Sequence, residues 1–196
     1  MIDIFDPPDD AATPLTEAER RDLKLAYIAT RDELNAAEEG NIAEGQIWAL
    51  GLRRRNLLTD TFMKSLHRRM FGDVWRWAGK FRTSKRNIGI NHWEIPVALR
   101  TLLDDVKAWI EHNAYQPDEI AVRFHHRLVV IHPFPNGNGR HARMMADFLI
   151  VELGGAPFSW GGSQLRGTSD LRRRYIDALQ AADQHDTGPL IAFARS

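Results

Sequence analysis

The chain has no cysteine in its 196 residues. That excludes a disulfide framework and thiolate metal sites, and it fits a reducing compartment. It has no net charge either, because 26 Lys and Arg balance 26 Asp and Glu. Such a chain has no global attraction to nucleic acid or to an anionic membrane. No apolar run is long enough to cross a bilayer. Fixed-period repeats, low-complexity tracts and a Walker-type Gly-Lys-Ser/Thr are missing too. The first residues are acidic (Asp3, Asp6, Asp9, Asp10) and lack the basic start and apolar stretch of a secretory signal. What is present is an ordinary apolar fraction of 43%, enough for a core without staples. The expectation is a soluble cytoplasmic protein of one domain with a short arm, making no membrane contact and no direct contact with nucleic acid. The runs Arg53-Arg-Arg55, Arg68-Arg69 and Arg172-Arg-Arg174 then read as solvated helix faces.

Residues 1–14 carry Pro7, Pro8 and Pro14 and read as an extended arm, leaving 15–196 as the domain. Thr16 with Glu19 forms a capping box that opens a helix carrying Leu23, Ala26, Tyr27, Thr30 and Leu34. Glu38-Glu-Gly-Asn41 interrupts that spacing and predicts a turn, with a second helix over about 42–55 and a third from Thr59 or Asp60. Pro96 and Pro117 sit well as first-turn residues of two further amphipathic helices. Arg140 to Glu152 is apolar nearly all round and predicts a central helix. Helices from about Ser169 and about Pro189 complete the chain. Only Lys80 to Trp93 resists a helical reading; Phe81, Ile88 and Ile90, punctuated by Asn87, Gly89 and Asn91, predict a short hairpin. The fold class is therefore all-α, a helical bundle with one small β-hairpin.

Chemistry concentrates in His132-Pro-Phe-Pro-Asn-Gly-Asn-Gly-Arg-His-Ala-Arg143. Pro133 and Pro135 stop one helix and Arg140 begins the next, with Gly137 and Gly139 between. A helix N-terminus with free N–H groups attracts phosphate. Asn138 and Arg140 add donors, and Arg143 follows Arg140 by nearly one turn, so two guanidinium forks can meet two phosphate groups. His132, just ahead, can serve as a general base. Each feature alone is commonplace, a Gly-Asn-Gly turn above all; their order within one short segment is not. The loose match Gly137-x-Gly139-x-x-Ala142 to a dinucleotide fingerprint fails, because a helix rather than a strand precedes it. His125, His126 and His132 lack the carboxylates that would make them a metal site.

The segment resembles the Fic motif, His-x-Phe-x-(Asp/Glu)-Gly-Asn-Gly-Arg-x-x-Arg, at His132, Phe134, Gly137, Asn138, Gly139, Arg140 and Arg143. Ala78-Gly-Lys-Phe-Arg82, Arg174-Tyr-Ile-Asp-Ala-Leu and Gly188-Pro-Leu-Ile-Ala-Phe193 are also similar to the family, so the likeness covers about 15–195. Within the Fic/Doc (Fido) family it looks closest to the bacterial subgroup called mobile mystery protein B. The resemblance implies a Fic fold and transfer of AMP from ATP to a hydroxyl side chain of a target protein. It implies His132 as base, Gly137, Asn138 and Gly139 as anion nest, Arg140 and Arg143 as phosphate ligands, and Phe134 as a core anchor. Arg82, Ile88, Gly89 and Ile90 would belong to a flap that positions the target. ATP and Mg²⁺ are the implied substrate and metal, and a helix-turn-helix protein is an implied partner. One position departs: Asn136 stands where the family has an acidic Mg²⁺ ligand, and a neutral carbonyl is a weaker hard-cation ligand. Phosphoryl or other nucleotide transfer of the Doc type, or nucleotide binding with low turnover, are the alternatives this opens. Asn35-Ala-Ala-Glu-Glu39-Gly40 also resembles the family's inhibitory motif, which implies a Glu39 that pairs with Arg143 and restrains the enzyme.

Overall fold

Threonine and proline place most of the helix starts. Thr16 and Thr30 each make a complete capping box, with Glu19 and Glu33, and open α1 (Glu17–Arg20) and α2 (Arg31–Leu50). Thr59 caps α3 (Asp60–Phe71). A single 3₁₀ turn (His92–Glu94) leads into α4 (Ile95–Glu111), and prolines stand in the first turns of α4, α5 (Pro117–Ile131) and α8 (Gly188–Arg195). Between them lie α6 (Asn138–Glu152) and α7 (Ser169–Asp183). The computed structural model describes residues 15–53, 55–162 and 169–196. The expected arm at 1–14 and the middle of the Arg53–Arg55 run lie outside the described residues.

The bundle is two helical pairs laid together. α2 packs on α3, α5 on α6, and the pairs meet where α3 reaches α6. α4 and α8 cover α5, and α7 packs on α8. The core runs continuously through Met63, Leu66 and Met70 of α3, Phe124 and Leu128 of α5, and Met145 and Leu149 of α6. As its all-round apolar sequence requires, α6 buries residues on most of its faces. Arg195 ties α8 back to the start of α5, with Nε donating to Asp118 at 2.7 Å.

The all-α class holds, but local expectations change. The helix opened by Thr16 stops at Arg20, and its expected continuation is a connection joined to the α3–flap region by the antiparallel bridge Leu23–Trp75. The predicted turn at Glu38–Asn41 is absent; α2 runs straight through it. Its polar residues lie on the buried stripe Leu34, Glu38, Asn41, Gly45, Ala49. Asn41 Nδ2 donates to the Arg69 carbonyl at 2.9 Å, and Asn41 Oδ1 accepts from the Asp73 amide at 2.9 Å. Tertiary hydrogen bonds here override the turn propensity of a Glu-Glu-Gly-Asn run. The hairpin expected at 80–93 is not seen, and no strand ladder forms among the described residues. Phe81 turns inward against Phe134, and the guanidinium of Arg82, not a facing strand, satisfies the segment's carbonyls.

Candidate active site

His132 ends α5 in the left-handed conformation, φ 52° and ψ 60°. Pro133 disfavours the helical region for the residue before it, so α5 has to stop here. A non-glycine residue in this region costs on the order of 1–3 kcal/mol and persists only where its surroundings hold it. Arg82 does the holding. Its Nε donates to the His132 carbonyl at 2.6 Å, and Nη2 to Ile131 at 3.4 Å. Nη1 reaches the Ser84 carbonyl at 2.9 Å, and Nη2 also donates to Ile90. The backbone amide of Arg82 adds a bond to Pro133 O at 2.9 Å. Arg82 is thus a buried clamp, 2% exposed, between flap and loop. Gly89 comes so close that an added Cβ would sit 2.6 Å from that of His132, and its φ of +100° already excludes most side chains. Ile88 and Ile90 flank it, half-buried.

The His132 imidazole is nearly buried. Burial first, and then the Arg82 cation, push it down to about 4, against a hydrogen bond to the Val129 backbone that raises it. At neutral pH it is an uncharged base. Beyond it the loop is fastened from inside. Asn138 Oδ1 accepts from the Phe134 amide at 2.9 Å, and its Nδ2 donates to the Phe134 carbonyl at 2.8 Å. The side chain of Asn138 therefore clasps the loop, and only its backbone amide is left for a ligand. Phe134 is fully buried and stacks on His67, ring centroids 3.7 Å apart. His67 Nδ1 accepts from the Gly79 amide at 3.0 Å, which makes Nε2 the donor to Asn136 O at 3.1 Å. Burial, and then nearby His141, hold His67 well below the usual histidine range, so this tautomer persists.

α6 starts immediately after. Gly137 has φ +76°, and a Cβ there would strike the Phe71 ring at 2.5 Å. The first bond around the new helix runs from the His141 amide to Gly137 O at 2.9 Å. The amides of Asn138, Gly139 and Arg140 precede it and are the orphan donors of a helix N-terminus. Arg140 lies over the Phe71 ring, 4.8 Å to the centroid, and donates Nη1 to Glu38 Oε2 at 2.6 Å. Glu38 Oε1 in turn accepts from the Trp75 indole at 2.7 Å. Arg143 lies 5.6 Å over the Tyr175 ring, whose hydroxyl meets His125 Nε2 at 2.9 Å.

The sequence placed Glu39 against Arg143. The structure brings Glu38 to Arg140 and the Tyr175 ring to Arg143, and Glu39 is exposed on α2. The missed residues are Glu38 and His67, together with the clamping role of Arg82. For Glu38 a signal existed: it falls in helical register with Leu34, Asn41 and Gly45. Reading Gly40 as a turn hid that register.

The donor set does not fit a divalent cation held by protein alone. Asn136 offers one neutral oxygen, and that Oδ1 already accepts from the Gly137 amide at 2.6 Å. No group of three His, Asp or Glu able to hold a metal occurs among the described residues. A cavity of about 430 Å³ lined by Lys24, Glu44, Trp48, Arg68, Arg69 and Asp73 includes none of the motif residues. No helix among the described residues is long and apolar enough to cross a membrane.

Residues 57–150 match the family model described as the Fic/DOC family. The chain is 28% identical over 166 residues to the protein adenylyltransferase Fic of Aedes aegypti, covering 83% of this chain and 32% of that protein. It thus spans about a third of that relative's length. Among solved structures, Fic-1 (residues 134–508) of C. elegans superposes with a TM-score of 0.66 at 20% identity, over 87% of this chain and 50% of that one. The BepC protein of Bartonella tribocorum with bound AMPPNP gives 0.66 at 16% identity, over 92% of this chain and 97% of that one. At such identities these two likenesses speak for the fold. The matched segment contains the whole motif with His67, Trp75 and Arg82, and residues 57–150 carry a Fic/DOC family domain.

Proposed function

We propose that this chain, acting through residues 15–196 as one Fic domain, transfers AMP from ATP to a Ser, Thr or Tyr hydroxyl of a target protein. The observation that carries the reading is the meeting of an uncharged His132 with the open N-terminus of α6, flanked by Arg140 and Arg143. His132 takes the hydroxyl proton as the oxygen bonds to the α-phosphorus. The bond from that phosphorus to the bridging oxygen breaks, and pyrophosphate leaves with the electron pair. The amides of Asn138, Gly139 and Arg140 and the two guanidinium groups stabilise charge on the phosphates. A base that titrates near 4 is weak, but a triphosphate beside it favours the imidazolium and strengthens it. Ile88, Gly89 and Ile90 offer flap backbone to an extended target segment.

Labelled ATP incubated with the protein in a cell lysate tests the reading, with other nucleoside triphosphates run in parallel. Label in a protein band is expected from α-labelled ATP. His132→Ala should abolish it while leaving nucleotide binding and the melting temperature nearly unchanged. Label arriving only from γ-labelled ATP would replace AMP transfer by phosphoryl transfer, and transfer at the wild-type rate by His132→Ala would remove the base assignment. Nucleotide binding without transfer is the second reading, favoured by the neutral and already occupied Asn136 oxygen.

A further inference from the structure

Glu38 is an acid 6% exposed, on a helix outside the motif, bonded to a motif arginine 102 residues away in sequence. A buried carboxylate of this kind is costly unless its oxygens are satisfied. Here both are: the Trp75 indole N–H fills one and Arg140 Nη1 the other. The indole fixes the carboxylate, because Trp75 is itself 1% exposed and stacked on Trp77 with centroids 5.0 Å apart. The carboxylate then fixes one end of the guanidinium, and the Phe71 ring supports its face. Phe71 is also the surface against which Gly137 packs, so the same ring sets the height of the loop and of the arginine.

The order of exposure matters. The Glu38 side chain is 8% exposed and that of Arg140 is 26%. The guanidinium therefore stands between the carboxylate and solvent, and a phosphate arriving from solvent meets the cation first. Arginine has five N–H donors in a rigid fork, and Glu38 takes one of them. Most of the fork is left, held in a fixed plane. We infer that Glu38 is a positioning residue for nucleotide phosphate binding, holding Arg140 through Trp75 and Phe71 in the orientation that the bound triphosphate needs. This rests on the reading of the site given above. It makes Glu38 a support of the reaction where a restraint would hold the arginine back. Preorganisation of this kind lowers the ordering cost of binding, and loss of about 1 Å of placement can cost roughly a hundredfold in rate.

The test is a double-mutant cycle of Glu38→Ala and Arg140→Ala, with Glu38→Gln and Trp75→Phe alongside. Each protein is titrated calorimetrically with a non-hydrolysable ATP analogue, assayed for AMP transfer, and melted. Glu38→Ala should weaken analogue binding about tenfold and cut transfer by on the order of tenfold to a hundredfold. In the Arg140→Ala background it should cost nothing further, because the group it positions is gone. Glu38→Gln keeps one acceptor oxygen for two donors and loses the charge, so it should recover only part of the binding. Trp75→Phe loosens the carboxylate and should weaken binding in the same direction, and only where Arg140 is present; a purely structural role would instead lower the melting temperature in both backgrounds and make the two losses additive. Additive losses, or transfer that rises in Glu38→Ala, overturn the inference while wild type still binds nucleotide. A wild-type protein that neither binds the analogue nor transfers label overturns the reading of the site, and the inference with it.

Discussion

At the scale of single residues, the site is decided by what each polar atom already holds. Asn138 looks in sequence like a phosphate ligand, yet its side chain is spent on both polar groups of Phe134. Asn136 looks like a weakened metal ligand, and its Oδ1 is spent on the Gly137 amide. A carboxylate at 136 could keep that bond with one oxygen and present the other, now with a negative charge that suits a hard divalent cation. Asn136→Asp should therefore steepen the Mg²⁺ dependence of ATP binding while leaving binding without Mg²⁺ level or weaker. Paired calorimetric titrations, with Mg²⁺ and with a chelator, decide it. If the two dependences coincide, position 136 does not face the phosphate-borne metal. These assignments also mark what the sequence could convey. The motif from His132 to Arg143 is contiguous, so its residue types and spacing suggest the proposed anion site directly. The partners that hold it arrive from far along the chain: Glu38, His67, Arg82 and Tyr175. Glu38 alone carries a local signal, its register with Leu34 and Asn41 on the buried stripe of α2, and nothing local to the other three shows which group each will hold.

At the scale of elements, two readings depended on which neighbour would satisfy the backbone. The 80–93 segment alternates apolar residues as a hairpin does, but its carbonyls go to one guanidinium. α2 contains a run that would turn in isolation, but Asn41 and Glu38 find partners on α3, the following loop and α6. Period and propensity describe a segment by itself, and both cases were settled by side chains elsewhere. The flap's dependence on Arg82 is testable. Arg82→Lys keeps the charge and loses the fork, and one ammonium cannot reach Ser84, Ile90 and His132 together. Amide hydrogen exchange across 84–91 should accelerate by at least about tenfold, because local opening there no longer breaks a set of joined bonds. Exchange in α5 and α6 should change little. Equal protection of the flap in both proteins would mean that its packing, with Phe81 against Phe134, holds it without the clamp.

At the scale of the whole molecule, four imidazoles lie in or beside the core as neutral groups. Burial is the leading cause in each: His132 and His141 fall to about 4, His125 to about 3, and His67 well below its ordinary value. The unfolded chain protonates these residues as pH falls through 6.5, and the folded chain does not until the lower values are reached. Across that window the unfolded state binds more protons, so stability is full above 6.5 and drains away on acidification. Asp147 opposes this, since burial raises it to about 6 and the folded state then holds a proton that the unfolded state releases. Glu152, which burial also raises, acts as Asp147 does, and two carboxyls against four imidazoles leave the sign unchanged. His125, His132 and His141 each forfeit on the order of 2 kcal/mol by about pH 5, together a large share of a typical domain's stability, and His67 acts in the same direction. Urea unfolding at about pH 7.5 and about pH 5 should show the midpoint dropping by on the order of half; coincident midpoints would mean that these rings are charged and solvated. The bonds from Glu38 to Arg140 and from His67 to Asn136 reach 102 and 69 residues along the chain. They also bear on how the protein is made. A ribosome delivers the carboxylate, the indole and the clamp long before it delivers the segment they hold. Until Arg143 has emerged, the nascent chain carries Glu38, Trp75 and Arg82 with the segment they hold still incomplete.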